Sequence, residues 1–175
     1  MSDFDGHVIH LHEGSASLQQ FVWKNPTQSA YWMRFVFWDQ GVAVTGDCGD
    51  LLLNPYGAKD SLGWFKGALD SPRYILSKAP SNMKDGLYRY DQDRAKQAVI
   101  NVLEHCSESE RDGFKDLLTE IEGGDICNEH DFQREFYNVS SNFDLPDPRS
   151  LSFSTLTILE GSKAFCRAHD LWMPK

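Results

Sequence analysis

Apolar residues alternate with polar ones through residues 1–60 and recur at helical spacing beyond them. In "HVIHLH", Ile9 and Leu11 share one strand face with His7, and Val8 shares the other with His10 and His12. The stretch "YWMRFVFW", residues 31–38, sets Tyr31, Met33, Phe35 and Phe37 against Trp32, Arg34, Val36 and Trp38. Asp39-Gln40-Gly41 then predicts a three-residue hairpin loop, with Gly41 at the position wanting positive φ. "VAVTGD" is the return strand, so a hairpin is expected over 31–47. Leu51–Leu53 adds a short strand that ends at Asn54-Pro55.

From residue 61 the period changes. "SLGWFKGAL" and "SPRYILSKA" predict short helical pieces across 61–79, the second with Pro72 in its first turn. Asp91 caps a helix over 91–106, in which Ala95, Ala98, Val99, Val102 and Cys106 fall on one side. Ser107 and Glu110 form an S-x-x-E capping box for a helix over 107–122, which Gly123-Gly124 ends. Its core stripe is Phe114, Leu117, Leu118 and Ile121. Asn128 caps a third helix with Phe132 and Phe136 inward, "DLPDP" breaks the chain, and 151–168 forms a last helix around Leu156, Leu159 and Phe165. The expected fold class is α+β, an N-terminal antiparallel sheet with a helical C-terminal half packed on it. One domain is expected, sheet-rich over 1–60 and helical over 61–170.

Composition changes this picture little. With 175 residues, 41 % of them hydrophobic, the chain can bury a proper core. No apolar run is long enough for a membrane span, and the acidic start "MSDFDGHVIHLHEG" lacks the basic region of a secretory signal. A cytoplasmic protein is expected. Cys48, Cys106, Cys127 and Cys166 show no C-x-x-C spacing and are expected as reduced thiols.

Charge changes it more. Residues 85–149 hold sixteen acids against seven bases, while the rest of the chain holds ten of each. Such an excess repels nucleic acid and membrane surfaces and favours basic partners. On the helix over 107–122, Glu108, Asp112, Asp116 and Glu120 are spaced by four and lie opposite the core stripe. Like charges at that spacing cost about 0.2–0.5 kcal/mol per pair, and Arg111 and Lys115 alongside neutralise only part of the row. One row is too sparse to pass for duplex DNA, with about 6 Å between carboxylates against about 1.7 Å per charge. Glu129, Asp131 and Glu135 on the next helix are therefore expected beside it.

The loop "VTGDCGD" offers the other candidate chemistry. Asp47 and Asp50 fit Gly-Asp-x-x-Asp, a pattern of metal-dependent phosphoesterases, and Asp5-Gly6-His7 supplies an Asp-x-His upstream. Here, however, Asp-x-His precedes its strand, and the later Gly-Asn-His pattern is absent. Glycines joined to aspartates are also what a tight turn prefers. A structural turn is expected, with a metal-dependent phosphoesterase or nuclease using Asp47 and Asp50 as the alternative. His10 and His12 form an H-x-H that can chelate a metal, but no spacing points to a third ligand. No G-x-S-x-G, P-loop or G-x-G-x-x-G occurs, so neither a catalytic residue nor a cofactor is expected. Tyr31, Trp32, Trp38 and Trp64 are expected as core and sheet cover, because basic residues flanking them are sparse. Direct nucleic-acid binding is not expected.

The hairpin carries one resemblance. Arg34 on a strand, then Trp38-x-x-Gly41, then "VAVTGD" and Gly49 resembles the pattern of a group of small bacteriophage and prophage proteins. The similarity is best over 31–50 and continues through "LGWFK", "SPRYILSK" and 90–99. The resemblance implies no catalytic residues. It implies that Arg34, Gly41, Thr45, Gly46, Asp47 and Gly49 determine the turn, with Arg34 pairing the loop carboxylate and Asp47 and Thr45 bonding the backbone. It also implies context, since small acidic phage proteins without enzyme motifs often inhibit host machinery. The expected function is a phage-encoded, anti-CRISPR-like counter-defence inhibitor. Its acidic helical face would bind a basic, nucleic-acid-handling surface of a host defence complex. A nucleotide-sequestering protein is a further alternative, using cations such as Arg73, Lys78 and Arg89.

Overall fold

Five strands run in sequence order across one antiparallel sheet in the computed structural model, which describes residues 4–14, 17–28 and 31–172. They are β1 (Val8–Gly14), β2 (Leu18–Lys24), β3 (Met33–Trp38), β4 (Gly41–Gly46) and β5 (Leu51–Leu53). The period-two pattern decides the faces. Phe21 and Trp23 of β2, Met33, Phe35 and Phe37 of β3, and Val42 and Val44 of β4 are buried, whereas Arg34 is exposed. β2 was not anticipated, although Phe21 and Trp23 alternate with Gln20, Val22 and Lys24 as a strand requires. A register shift between Leu11 and Glu13 marks a bulge in β1. The side chains of Leu11 and His12 lie outside the described residues.

The hairpin corrects the expected loop. Trp38 pairs directly with Gly41, leaving Asp39 and Gln40 as a two-residue connection, and Gln40 takes the positive φ of 65°. Gly41 is a strand residue with a different constraint. A Cβ there would lie 1.9 Å from Cε2 of Trp38, so glycine lets the indole cross the strand end.

The chain forms two compact units, and their boundary does not fall at residue 60. Unit 1 comprises Met1–Leu87 and Ser152–Lys175, and unit 2 comprises Tyr88–Leu151. In unit 1 the sheet is followed by α1 (Ser61–Ala68), α2 (Pro72–Ser77) and α3 (Ser81–Leu87), and completed by α7 (Phe153–Trp172). Helix α7 covers the apolar face of the sheet. Phe165 stacks on Phe35 with centroids 4.0 Å apart and planes 11° from parallel, and it also meets Phe21, Trp23 and Phe37. Ile158, Leu159 and Cys166 are buried with it, but Leu156, expected in the core, is 42 % exposed. It stands three residues before Leu159, and the buried side of the helix runs instead through Thr155, Ile158, Ser162 and Phe165. Phe65 of α1 packs its ring against Phe35 and Phe37.

Unit 2 contains β6 (Tyr88–Tyr90), α4 (Gln92–Leu103), α5 (Glu108–Gly123), α6 (Glu129–Val139) and β7 (Arg149–Leu151). β6 and β7 pair antiparallel. The three helices enclose their own core of Ala95, Val99, Phe114, Leu117, Ile121, Phe132 and Phe136. Their ends follow local chemistry. Asp91 Oδ1 accepts from the backbone N–H groups of Asp93 and Arg94, Gly124 closes α5 at φ 85°, and Asn128 Oδ1 accepts from the N–H of Asp131. The acidic excess coincides with this unit. It carries fifteen Asp and Glu against seven Lys and Arg, a balance of −8, and unit 1 holds eleven against ten.

Candidate functional site

The turn after β4 is held by the main chain. Asp47 N–H donates to Trp32 O at 3.3 Å and Gly49 N–H to Gly46 O at 3.0 Å. Gly46 sits at φ 154°, and a Cβ there would lie 2.2 Å from Trp32 O, so the close approach of two backbones excludes a side chain. Arg34 pairs with Thr45 across the strands but forms no ion pair with Asp47 among the described residues, which corrects the expected contact. Asp47 and Asp50 are exposed. Among the described residues, no three His, Cys, Asp or Glu side chains gather so as to hold a metal ion, and His10 stands exposed on β1.

The acidic residues of unit 2 divide by environment. Glu108, Asp112, Asp116 and Glu120 are all exposed, while Phe114, Leu117 and Ile121 on the other side of α5 are buried. They do not form one straight row. Each step of four residues overshoots a full turn by about 40°, so three steps rotate the line by about 120°. The result is that Asp116 and Glu120 reach the α6 side, and Glu108 and Asp112 face elsewhere.

Between α5 and α6 lies a groove of about 360 Å³. Asp116, Glu120 and Glu135 line it with Glu110, over a floor that includes Leu117 and Val139. Gly113 makes the helix approach possible, since a Cβ there would lie 2.9 Å from Cγ1 of Val139. Asp116 and Glu120 have no ion-pair or hydrogen-bond partner among the described residues. Glu108, off the groove, is likewise without such a partner among the described residues, and the remaining four are engaged. Asp112 pairs with Lys115 at 2.9 Å, Asp131 with Arg134 at 3.1 Å, Glu135 with Arg134 at 2.7 Å, and Glu129 with Arg149 at 3.6 Å. The hydrogen bond and charge of Lys115 lower the Asp112 pKa, and those of Arg134 lower that of Glu135.

Glu110 is the group that sequence reasoning under-read. Its capping-box bond was expected, with Oε2 accepting from Ser107 N–H at 3.1 Å, and Oε2 also accepts from Ser107 Oγ at 2.6 Å. The other oxygen, Oε1, accepts from Ser140 Oγ at 2.5 Å and Asn142 Nδ2 at 3.1 Å, which ties α5 to the end of α6. Four donors, the Ser107 hydroxyl foremost, hold the carboxyl pKa down to about 2. No local signal marks Ser140 and Asn142, because they lie thirty residues away in the chain.

The cations named for nucleotide binding belong to different elements. Lys78 sits over the Tyr74 ring at 4.9 Å, Arg73 is exposed on α2, and Arg89 belongs to β6 of unit 2. Among the described residues no helix is long and apolar enough to cross a membrane. No family model matches the chain, and neither a curated protein nor a solved structure matches it.

Proposed function

We propose that unit 2 is a protein-binding module whose acidic groove receives Lys or Arg side chains of a partner. On this reading the protein is a phage-encoded counter-defence inhibitor of the anti-CRISPR kind, acting in the host cytoplasm by occluding a basic, nucleic-acid-handling surface. The phage context rests on the resemblance of the hairpin over 31–50. The observation that carries the binding mode is the pair of exposed, unpaired carboxylates, Asp116 and Glu120, on the rim of a groove with Leu117 and Val139 in its floor. An inserted lysine or arginine lays its aliphatic stem on the apolar floor and its charge against the rim. The −8 balance of the unit steers a basic partner toward it. Tyr137 on α6, 52 % exposed, offers an aromatic anchor.

The test is charge reversal by position. Like charges brought together across an interface cost several kcal/mol. Asp116→Lys with Glu120→Lys is therefore expected to abolish protection of phage plaques in a host carrying the susceptible defence system. Glu108→Lys with Asp112→Lys, off the groove, is expected to weaken it far less. A folded groove variant that protects as well as the natural protein removes the acidic groove from the mechanism.

A further inference from the structure

The solvent face of the sheet in unit 1 bears a concavity of about 640 Å³, lined by His10, Lys24, Gln28, Trp32 and Arg34 together with the 25–26 turn and Val22. Strand register brings these residues together. His10 pairs with Val22 and Val22 with Arg34, so His10, Val22 and Arg34 form one row across β1, β2 and β3. One step beyond the last β2–β3 pair, Trp23 with Met33, stand Lys24 and Trp32 on the same face. Arg34 stands two residues after Trp32, and Lys24 is supplied from the neighbouring strand. Neither Lys24 nor Arg34 is engaged in an ion pair among the described residues, and both are exposed. The rim is built. Asn25, 8 % exposed, accepts from Thr27 N–H at 2.9 Å and Thr27 Oγ1 at 2.7 Å and donates to Asp5 O at 3.1 Å.

We propose that this pocket binds a nucleoside monophosphate, with the base stacked on Trp32 and the phosphate held by Lys24 and Arg34. Charge and size select this class. A phosphomonoester carries nearly two negative charges at neutral pH, which two cations match, and the guanidinium fork suits phosphate oxygens. An indole face accepts any base, while His10 and Gln28 supply hydrogen-bonding edges. A cavity of about 640 Å³ lies within the range of small-molecule sites. A nucleic-acid strand is disfavoured, because among the described residues two Lys or Arg side chains line the concavity, on a chain of net charge −9. The proposal concerns unit 1 alone and stands or falls independently of the acidic groove.

The experiment is calorimetric titration of the full chain with AMP, GMP, CMP and UMP, alongside adenosine, inorganic phosphate and a twelve-nucleotide single strand. At least one monophosphate is expected to bind saturably at or below about 1 mM, with both adenosine and phosphate weaker by tenfold or more. Arg34→Gln and Lys24→Gln, exposed changes that leave circular dichroism unaltered, are each expected to weaken that binding at least about tenfold. Absence of saturable binding to all four overturns the proposal, as does binding indifferent to both substitutions. Phosphate binding as well as the monophosphate reduces the site to an adventitious anion patch, and tighter binding of the oligonucleotide replaces a small ligand with a strand; either result also overturns it.

Discussion

Phe165→Ala tests the account of unit 1 most directly, because one side chain joins the last helix to the sheet. Its ring is fully buried, stacked on Phe35 at 4.0 Å, with Phe21 at 5.6 Å and Trp23 and Phe37 at 6.4 Å. Truncating a buried phenylalanine costs about 3–5 kcal/mol. Losing several ring pairs, each worth about 0.5–1.5 kcal/mol beyond burial, places the expectation near the upper end, at about 4–5 kcal/mol. Against total stabilities of about 5–15 kcal/mol, that loss is a large fraction of the whole. With a urea slope of about 2 kcal/mol per molar, the midpoint should fall by about 2 M. All five tryptophans, at 23, 32, 38, 64 and 172, lie in unit 1, so their emission follows that unit by itself. Phe165→Leu, which keeps an apolar side chain and loses the stacking, should fall by about half as much. A midpoint shift in Phe165→Ala below about 0.5 M at unchanged slope would refute the claim that this ring organises the core.

Glu110 predicts an acid response confined to unit 2. Its pKa is depressed to about 2 from an ordinary 4.5, so the stability it confers is complete above about 4.5 and is lost as pH falls toward 2. Glu110→Gln should flatten the dependence of the helical unfolding midpoint across that window, and a slope like that of the natural protein would contradict the four-donor account. Gly41→Ala, whose Cβ would lie 1.9 Å from the Trp38 ring, should destabilise unit 1 by about 1–3 kcal/mol and shift tryptophan emission. Gly67→Ala in α1, with nothing within 4 Å of the new carbon, should instead stabilise by about 0.5–1 kcal/mol, and equal effects at the two sites in urea melts would refute the steric reading.

The parts legible in the sequence are those where one local rule suffices. Met33, Phe35 and Phe37 against Arg34 announce a strand, and Asp91, Ser107, Gly124 and Asn128 announce helix ends, all without tertiary context. What was misread depends on partners remote in sequence. Gly41 looked like a turn glycine because glycine usually serves φ, and only the position of the Trp38 indole shows the steric demand. Leu156 looked like core because spacing alone cannot say which side of a long helix meets the sheet. β6 and β7 are three residues each, too short for any period to register, and their pairing joins residues some sixty apart. The acidic face was legible as a charge excess, but not its division into paired carboxylates and unpaired ones, nor the placing of Asp116 and Glu120 on the groove. The pocket beside Trp32 was invisible for the same reason, since Lys24 and Arg34 meet only through strand register.

The chain enters unit 2 at Tyr88 and leaves it at Leu151, and these two residues are ladder partners. Just outside them, Ser152 N–H donates to Leu87 O at 2.9 Å. Sixty-four residues therefore hang from a gap about 5 Å wide. To the sheet they are a single excursion, and the entropy of closing such an excursion rises only with the logarithm of its length. Evolution can exchange the whole cassette for another, or for a short reverse turn, without asking the strands to reorganise, so the two units are free to diversify at separate rates.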